Sequence, residues 1–196
     1  MKKKIIAGDS EEMIWQKVAA DLNQDTLPME YHRVLYQDVR KIMLDIDVDL
    51  GGGFESGDES TSLTAVIPQI NNFRFALYHE AFIDKLYKML GMEDVVIGYP
   101  EFDKQLIVKT NDAIKAKAIF IDTNVRQVFQ SLHNFTLHIV HRHINGKPEK
   151  QDMLEFTIDR GILNPIKLRR IYHAFVSVLT SIDAIAGANN KVIYSA

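Results

Sequence analysis

Lys167, Arg169 and Arg170 follow Asn164-Pro165, a pair suited to cap and open a helix. Cations in a helix's first turns lie beside the positive end of its dipole, where carboxylates or a bound anion must offset them. A helix N-terminus is also a ready seat for phosphate or carboxylate groups. These three residues are therefore the anion-binding candidates of the chain. Pairing with its own acids, of which there are 26, is the plainer alternative.

Histidine gathers late in the sequence, at His133, His138, His141 and His143. His141 and His143 are two apart on a segment of strand character, so both rings would share a face and could share a metal ion, with Glu149, Asp152 or Glu155 completing the set. Zinc sites use three or four ligands, so the pair by itself defines none, and no cofactor is expected. Asp45, Asp47 and Asp49 form a second cluster. Alternate strand positions set such carboxylates roughly 6.6 Å apart along a line, whereas a divalent ion needs ligands that converge. They read as a solvated strand face.

No serine lies in a Gly-x-Ser-x-Gly elbow, and the chain has neither a P-loop nor a G-x-G-x-x-G segment. It has no cysteine, which removes thiolate nucleophiles and thiolate metal sites. No catalytic residue is nominated. The net charge of −3 argues against nucleic acid as a partner, because phosphate neutralisation supplies most of that affinity. The basic start at Lys2–Lys4 precedes an apolar run too short for a signal peptide, and no transmembrane segment is expected. The expected location is cytoplasmic.

Periodicity supplies the elements that must carry these residues. An apolar stripe through Met13, Ile14, Val18 and Leu22 predicts a helix over 10–22, and residues 1–26 are read as an N-terminal helical arm. Tyr31, Val34, Leu35, Val39 and Ile42 recur at helical spacing after Pro28 and predict a second helix. Strands are expected over 43–50, 61–67, 73–78, 105–109, 135–143 and 152–159, with 61–67 and 73–78 as an antiparallel pair. Further helices are expected over 80–90, 112–120 and 123–132, and the longest from Pro165 to about Ala186. Gly51-Gly52-Gly53 reads as a loop and Asn145-Gly146 as a hairpin turn. The sum is an α+β domain over 27–187 with a tail over 188–196. Its mainly antiparallel sheet of about five or six strands is covered on one face by helices, including a long C-terminal one.

The stretch Leu90-Gly91-Met92-Glu93-Asp94-Val95-Val96-Ile97-Gly98-Tyr99-Pro100-Glu101-Phe102-Asp103, with its sequel Leu106 to Asp112, resembles a block found in an uncharacterised family of bacterial proteins. The resemblance implies a bacterial protein of unknown function. Within the block, Gly98 and Pro100 shape a turn, Phe102 anchors it, and Tyr99, Glu101 and Asp103 are candidates for a recognition surface. The leading expectation is a non-enzymatic binding or interaction domain with a protein partner. The alternative is a small-molecule- or metal-binding enzyme domain with a pocket between the sheet and the C-terminal helix.

Overall fold

The computed structural model describes residues 4–23, 29–37, 39–48, 59–79, 91–143 and 150–193. Its strands are β1 (Lys4–Gly8), β2 (Glu30–Gln37), β3 (Arg40–Asp47), β4 (Ser60–Val66), β5 (Phe75–His79), β6 (Glu93–Asp94), β7 (Leu106–Thr110), β8 (Phe135–His143) and β9 (Lys150–Ile158). Its helices are α1 (Glu11–Leu22), α2 (Pro100–Gln105), α3 (Ala113–Ile119), α4 (Thr123–Gln130) and α5 (Pro165–Ile193).

Among the described residues, nine strands join one sheet in the order β1-β2-β3-β4-β9-β8-β5-β7-β6. Only β1–β2 is parallel among the pairings. The α+β class and the long C-terminal helix hold, but the expectation of five or six strands is corrected to nine. Three strands escaped the pattern reading, for separate reasons. In β2, Val34 and Leu35 are neighbours buried on opposite faces, so alternation is lost and the spacing imitates a helix. β1 is five residues long with Ile6 alone buried, and β6 has two residues, both exposed. The segments 49–58 and 80–90, and the Asn145-Gly146 turn, lie outside the described residues.

The expected β4–β5 hairpin is also corrected. Three antiparallel steps separate these strands, because the β8–β9 hairpin is inserted between them. The connection over 67–74 spans that gap, with Asn71 and Asn72 at φ 39° and 58°. Asparagine tolerates that left-handed backbone better than most residues. Asn111 ties the connection to β7 by accepting from the Arg74 amide and donating to the Asn72 carbonyl, both at 2.8 Å.

Register lines up one inward row across the sheet, through Arg33, Leu44, Leu63, Phe156, Leu137, Leu77 and Val108. The buried apolar residues of the five described helices join this face in a single core. Ile14, Trp15 and Val18 of α1 belong to it, and β1 is a strand of the same sheet, so residues 4–22 pack with the rest of the fold. The opposite face carries His32, Asp45, Ser62, Thr157, Thr136 and Tyr78 in one row.

Helix α5 has the length and apolar content of a membrane span. Its stripe is nonetheless core: Leu168, Tyr172, Phe175, Val178 and Ile182 are fully buried. Trp15 meets Tyr172 edge-on at 5.3 Å. Burial pushes the Tyr172 hydroxyl's pKa well above its ordinary value, so it keeps its proton and donates to Gln37 Oε1 at 3.1 Å. Arg40 adds bonds to the Val176 carbonyl and the Asp183 carboxylate. These contacts fix α5 over the β2–β3 end of the sheet.

Candidate functional site

Helix α4 begins where the Asp122 carboxylate accepts the Asn124 amide at 2.8 Å. It buries Val125, Arg126 and Phe129, while Asn124, Gln127 and Ser131 face solvent. Helix α5 begins at Asn164, whose side chain accepts from the Lys167 amide and whose carbonyl accepts from Leu168. Pro165 occupies the first helical position, where a missing N–H costs nothing. The two helices lie antiparallel, since Ser131 and Leu132 meet Asn164 and Lys167 at one end while Asn124 and Gln127 meet His173 at the other.

Between them runs a groove made of two adjacent cavities, of about 360 and 310 Å³, with Val128 and Arg170 lining both. Leu132 and Ile171, both buried, form the apolar floor of the 360 Å³ cavity. Ile166 stands on the rim and is 74% exposed, off the buried stripe of α5.

The three cations nominated from the sequence have different fates. Arg169 is taken by the chain's own acids, with Nε 3.2 Å from Glu11 and a second nitrogen 2.6 Å from Glu12. Those bonds, with Glu12's the largest effect, raise its pKa. Glu11 also meets His173 Nδ1 at 2.9 Å. Lys167 and Arg170 have no hydrogen-bond or ion-pair partner for their side chains among the described residues, and both line the groove. The conflict at the start of α5 is thus eased in part by Glu11 and Glu12. The carbonyl end of α4, beside Lys167, eases it further.

The other candidates are placed differently. The Asp103 carboxylate accepts the backbone amides of Ile97, Gly98 and Tyr99, each at 2.8 Å, closing the turn that enters α2. Gly98 has φ 107°, which only glycine adopts readily. Tyr99 lies under the Arg126 guanidinium, 3.4 Å from ring centroid to Cζ, and Phe102 is buried against Phe120. Glu101 remains exposed. Much of the block that carries the family resemblance is therefore engaged in holding this turn.

His141 Nδ1 makes a very short contact with Asp152, its direct cross-strand partner. The His143 side chain lies outside the description. Among the described residues no group of three potential ligands converges on one point. On the second sheet face Asp45 sits 2.7 Å from His32 Nδ1, and Asp47 accepts from Ser60 at 3.4 Å; Asp49 is outside the described residues. Asp45 stands between His32 and Ser62 in register. A nucleophilic serine needs the imidazole next to it, so that order does not make a catalytic triad.

Glu155 is a charged group held in the same face. Burial works against its carboxylate, but His138 at 3.6 Å and Arg142 at 2.6 Å outweigh burial and keep its pKa below the ordinary 4.5. At 3.6 Å the His138 contact is Coulombic, beyond a hydrogen bond. A depressed carboxylate adds stability that is full above the ordinary value and is lost as pH falls through the folded-state value. Stability followed by urea titration should therefore decline below about pH 4.5. The decline should be shallower in Glu155→Gln, and identical acid profiles for the two proteins would refute this account.

The arrangement defines an α+β domain with a helix-walled cationic groove. Comparison of the chain with protein-family models, curated proteins and solved structures found no match.

Of the groove, sequence reasoning reached the cations and missed the walls. Ile166 was the available signal, an isoleucine off the apolar stripe of its own helix.

Proposed function

We propose that this protein is a non-enzymatic binding domain, and that the α4–α5 groove is the surface with which it binds. The observation that carries the reading is the pairing of Lys167 and Arg170, both without a side-chain partner among the described residues, with the apolar side chains of Val128 and the exposed Ile166. Apolar concavities with a few polar groups on their walls are the usual form of a binding site. The rival location, between sheet and α5, is filled by the side chains of Leu168, Tyr172, Phe175 and Val178. That filling favours the groove. A bacterial setting fits the family resemblance of the Gly91–Asp112 block.

The test is methyl NMR of the whole chain titrated with octanoate, a small anion with an apolar tail. Saturable shifts should gather at Val128, Leu132, Ile166 and Ile171 and shrink in Arg170→Glu. Shifts that gather elsewhere, or that Arg170→Glu leaves intact, would remove the groove as the binding surface. Turnover of any substrate, abolished by a point substitution that leaves the fold intact, would remove the non-enzymatic reading.

A further inference from the structure

We infer that the groove's occupant is an acidic amphipathic helix of a partner protein, an inference that rests on the groove being the binding surface proposed above. Shape supplies the first argument. Helix α4 has eight residues, which at 1.5 Å per residue make about 12 Å, or two helical turns. The two cavities lie along it end to end and open to solvent, a form that suits a helix laid lengthwise.

Charge and spacing supply the second. Arg169 is neutralised by Glu11 and Glu12, which leaves Lys167 and Arg170 as the uncompensated charges lining the cavities, in a chain whose net charge is −3. This local pair of positive charges steers acidic partners in and keeps basic ones out. Lys167 and Arg170 are three residues apart on one helix face, about 5–6 Å between Cβ atoms. Carboxylates three or four residues apart on a facing helix match that spacing. Their apolar neighbours would then meet Val128 and Ile166, the apolar side chains of the cavity that reach solvent. The α4 wall offers Asn124, Gln127 and Ser131, which can hydrogen-bond but add no competing charge.

Other occupants fit less well. A small anion at the start of α5 would find the Lys167 amide already taken by the Asn164 side chain. An extended peptide gains its affinity from an open strand edge, and this groove is walled by helices. A membrane surface asks for cations on a convex face, whereas Arg170 lines both cavities of a concave one.

The experiment uses the full chain to select from a displayed library of helix-forming peptides at physiological salt. Anionic phosphatidylglycerol vesicles form a parallel arm. Enriched peptides should share acids at i and i+3 or i+4 beside an apolar stripe. Their Kd should rise at least tenfold in the double variant Lys167→Glu/Arg170→Glu, and replacing their acids by lysine should abolish binding. Both positions lie on the surface, and an unchanged circular dichroism spectrum with cooperative melting confirms the variant is folded. Enrichment of basic peptides, or of peptides whose NMR footprint avoids Val128 and Ile166, overturns the acidic-helix assignment. Vesicle binding lost in the double variant, with no helix enriched, makes the occupant a lipid surface and leaves the groove reading standing. No binding in either arm by folded protein overturns the groove reading itself.

Discussion

Replacing Phe129 by alanine should lower the stability of the fold by about 3–5 kcal/mol, the usual cost of deleting a fully buried phenylalanine ring. For a chain of this size the melting temperature should fall by roughly 10 °C. Phe129 is fully buried and sends its ring from α4 onto the centre of the sheet. It stacks on Phe135 at 5.6 Å with an 18° angle between planes and reaches Phe156 at 6.3 Å. Phe135 and Phe156 lie 5.9 Å apart on neighbouring strands, so three rings from α4, β8 and β9 close a triangle. Truncation leaves a cavity under α4 that sheet atoms cannot fill, since both strands are paired on each side. The measurement is urea unfolding with an unchanged m-value. A loss under about 1.5 kcal/mol, well below the range for such deletions, would mean that α4 is anchored by something else. Because α4 is one wall of the groove, the same substitution should weaken selected peptides without touching a groove side chain.

Arg126→Met should cost about 2–4 kcal/mol, and Arg126→Lys should recover less than half of it. Arg126 is only 8% exposed. One guanidinium nitrogen donates to the carbonyls of Phe120 and Ile121, both at 2.6 Å, and the other to Thr123 Oγ1 at 3.0 Å. Phe120 closes α3, so the guanidinium satisfies carbonyls that this helix end leaves without intrahelical donors. The same plane covers Tyr99, which joins the Asp103 turn to the α3–α4 junction. Methionine fills similar volume but leaves the buried Phe120 carbonyl and the part-buried Ile121 carbonyl without this donor. Lysine has the charge without the planar fork that reaches both carbonyls and the ring together. Equilibrium unfolding of the two variants decides the matter, and a lysine variant as stable as the parent would show that charge alone suffices.

How much of this was legible depended on whether a residue's partners were near in sequence. Helices α3 and α4 announce themselves through Asp112 and Asp122, each of which accepts an amide of the first turn it opens. The α5 start was readable from Asn164-Pro165 for the same reason. Strand β3 kept its alternation because Ile42, Leu44 and Ile46 face the core while Asp45 and Asp47 face away. Strand β2 hid because both of its faces are covered in places. Strand order was not readable at all: nothing local to β4 or β5 says that a hairpin encoded some 60 positions later will separate them. The groove shares that fate, since Val128 and Ile171 become neighbours only once two helices have docked antiparallel on the sheet. Lys167, Arg169 and Arg170 looked alike in sequence, and only the placement of Glu11 and Glu12 on α1 divides them.

The insertion of β8 and β9 between β4 and β5 sets the order in which a growing chain can complete itself. While residues up to about 130 have left the ribosome, β4 and β5 each offer an open edge to a strand not yet made. The early strands can pair as β1–β4 and as β5–β7, two half-sheets with unshielded flanks facing one another. Arrival of the late hairpin joins the halves by supplying both missing neighbours. Closure over such separations is slow because loop entropy is spent before the long-range contacts form. In the interval the exposed flanks are the chain's main hazard for misassembly, and a chaperone that shields open strand edges would act here, between synthesis of β7 and synthesis of β9.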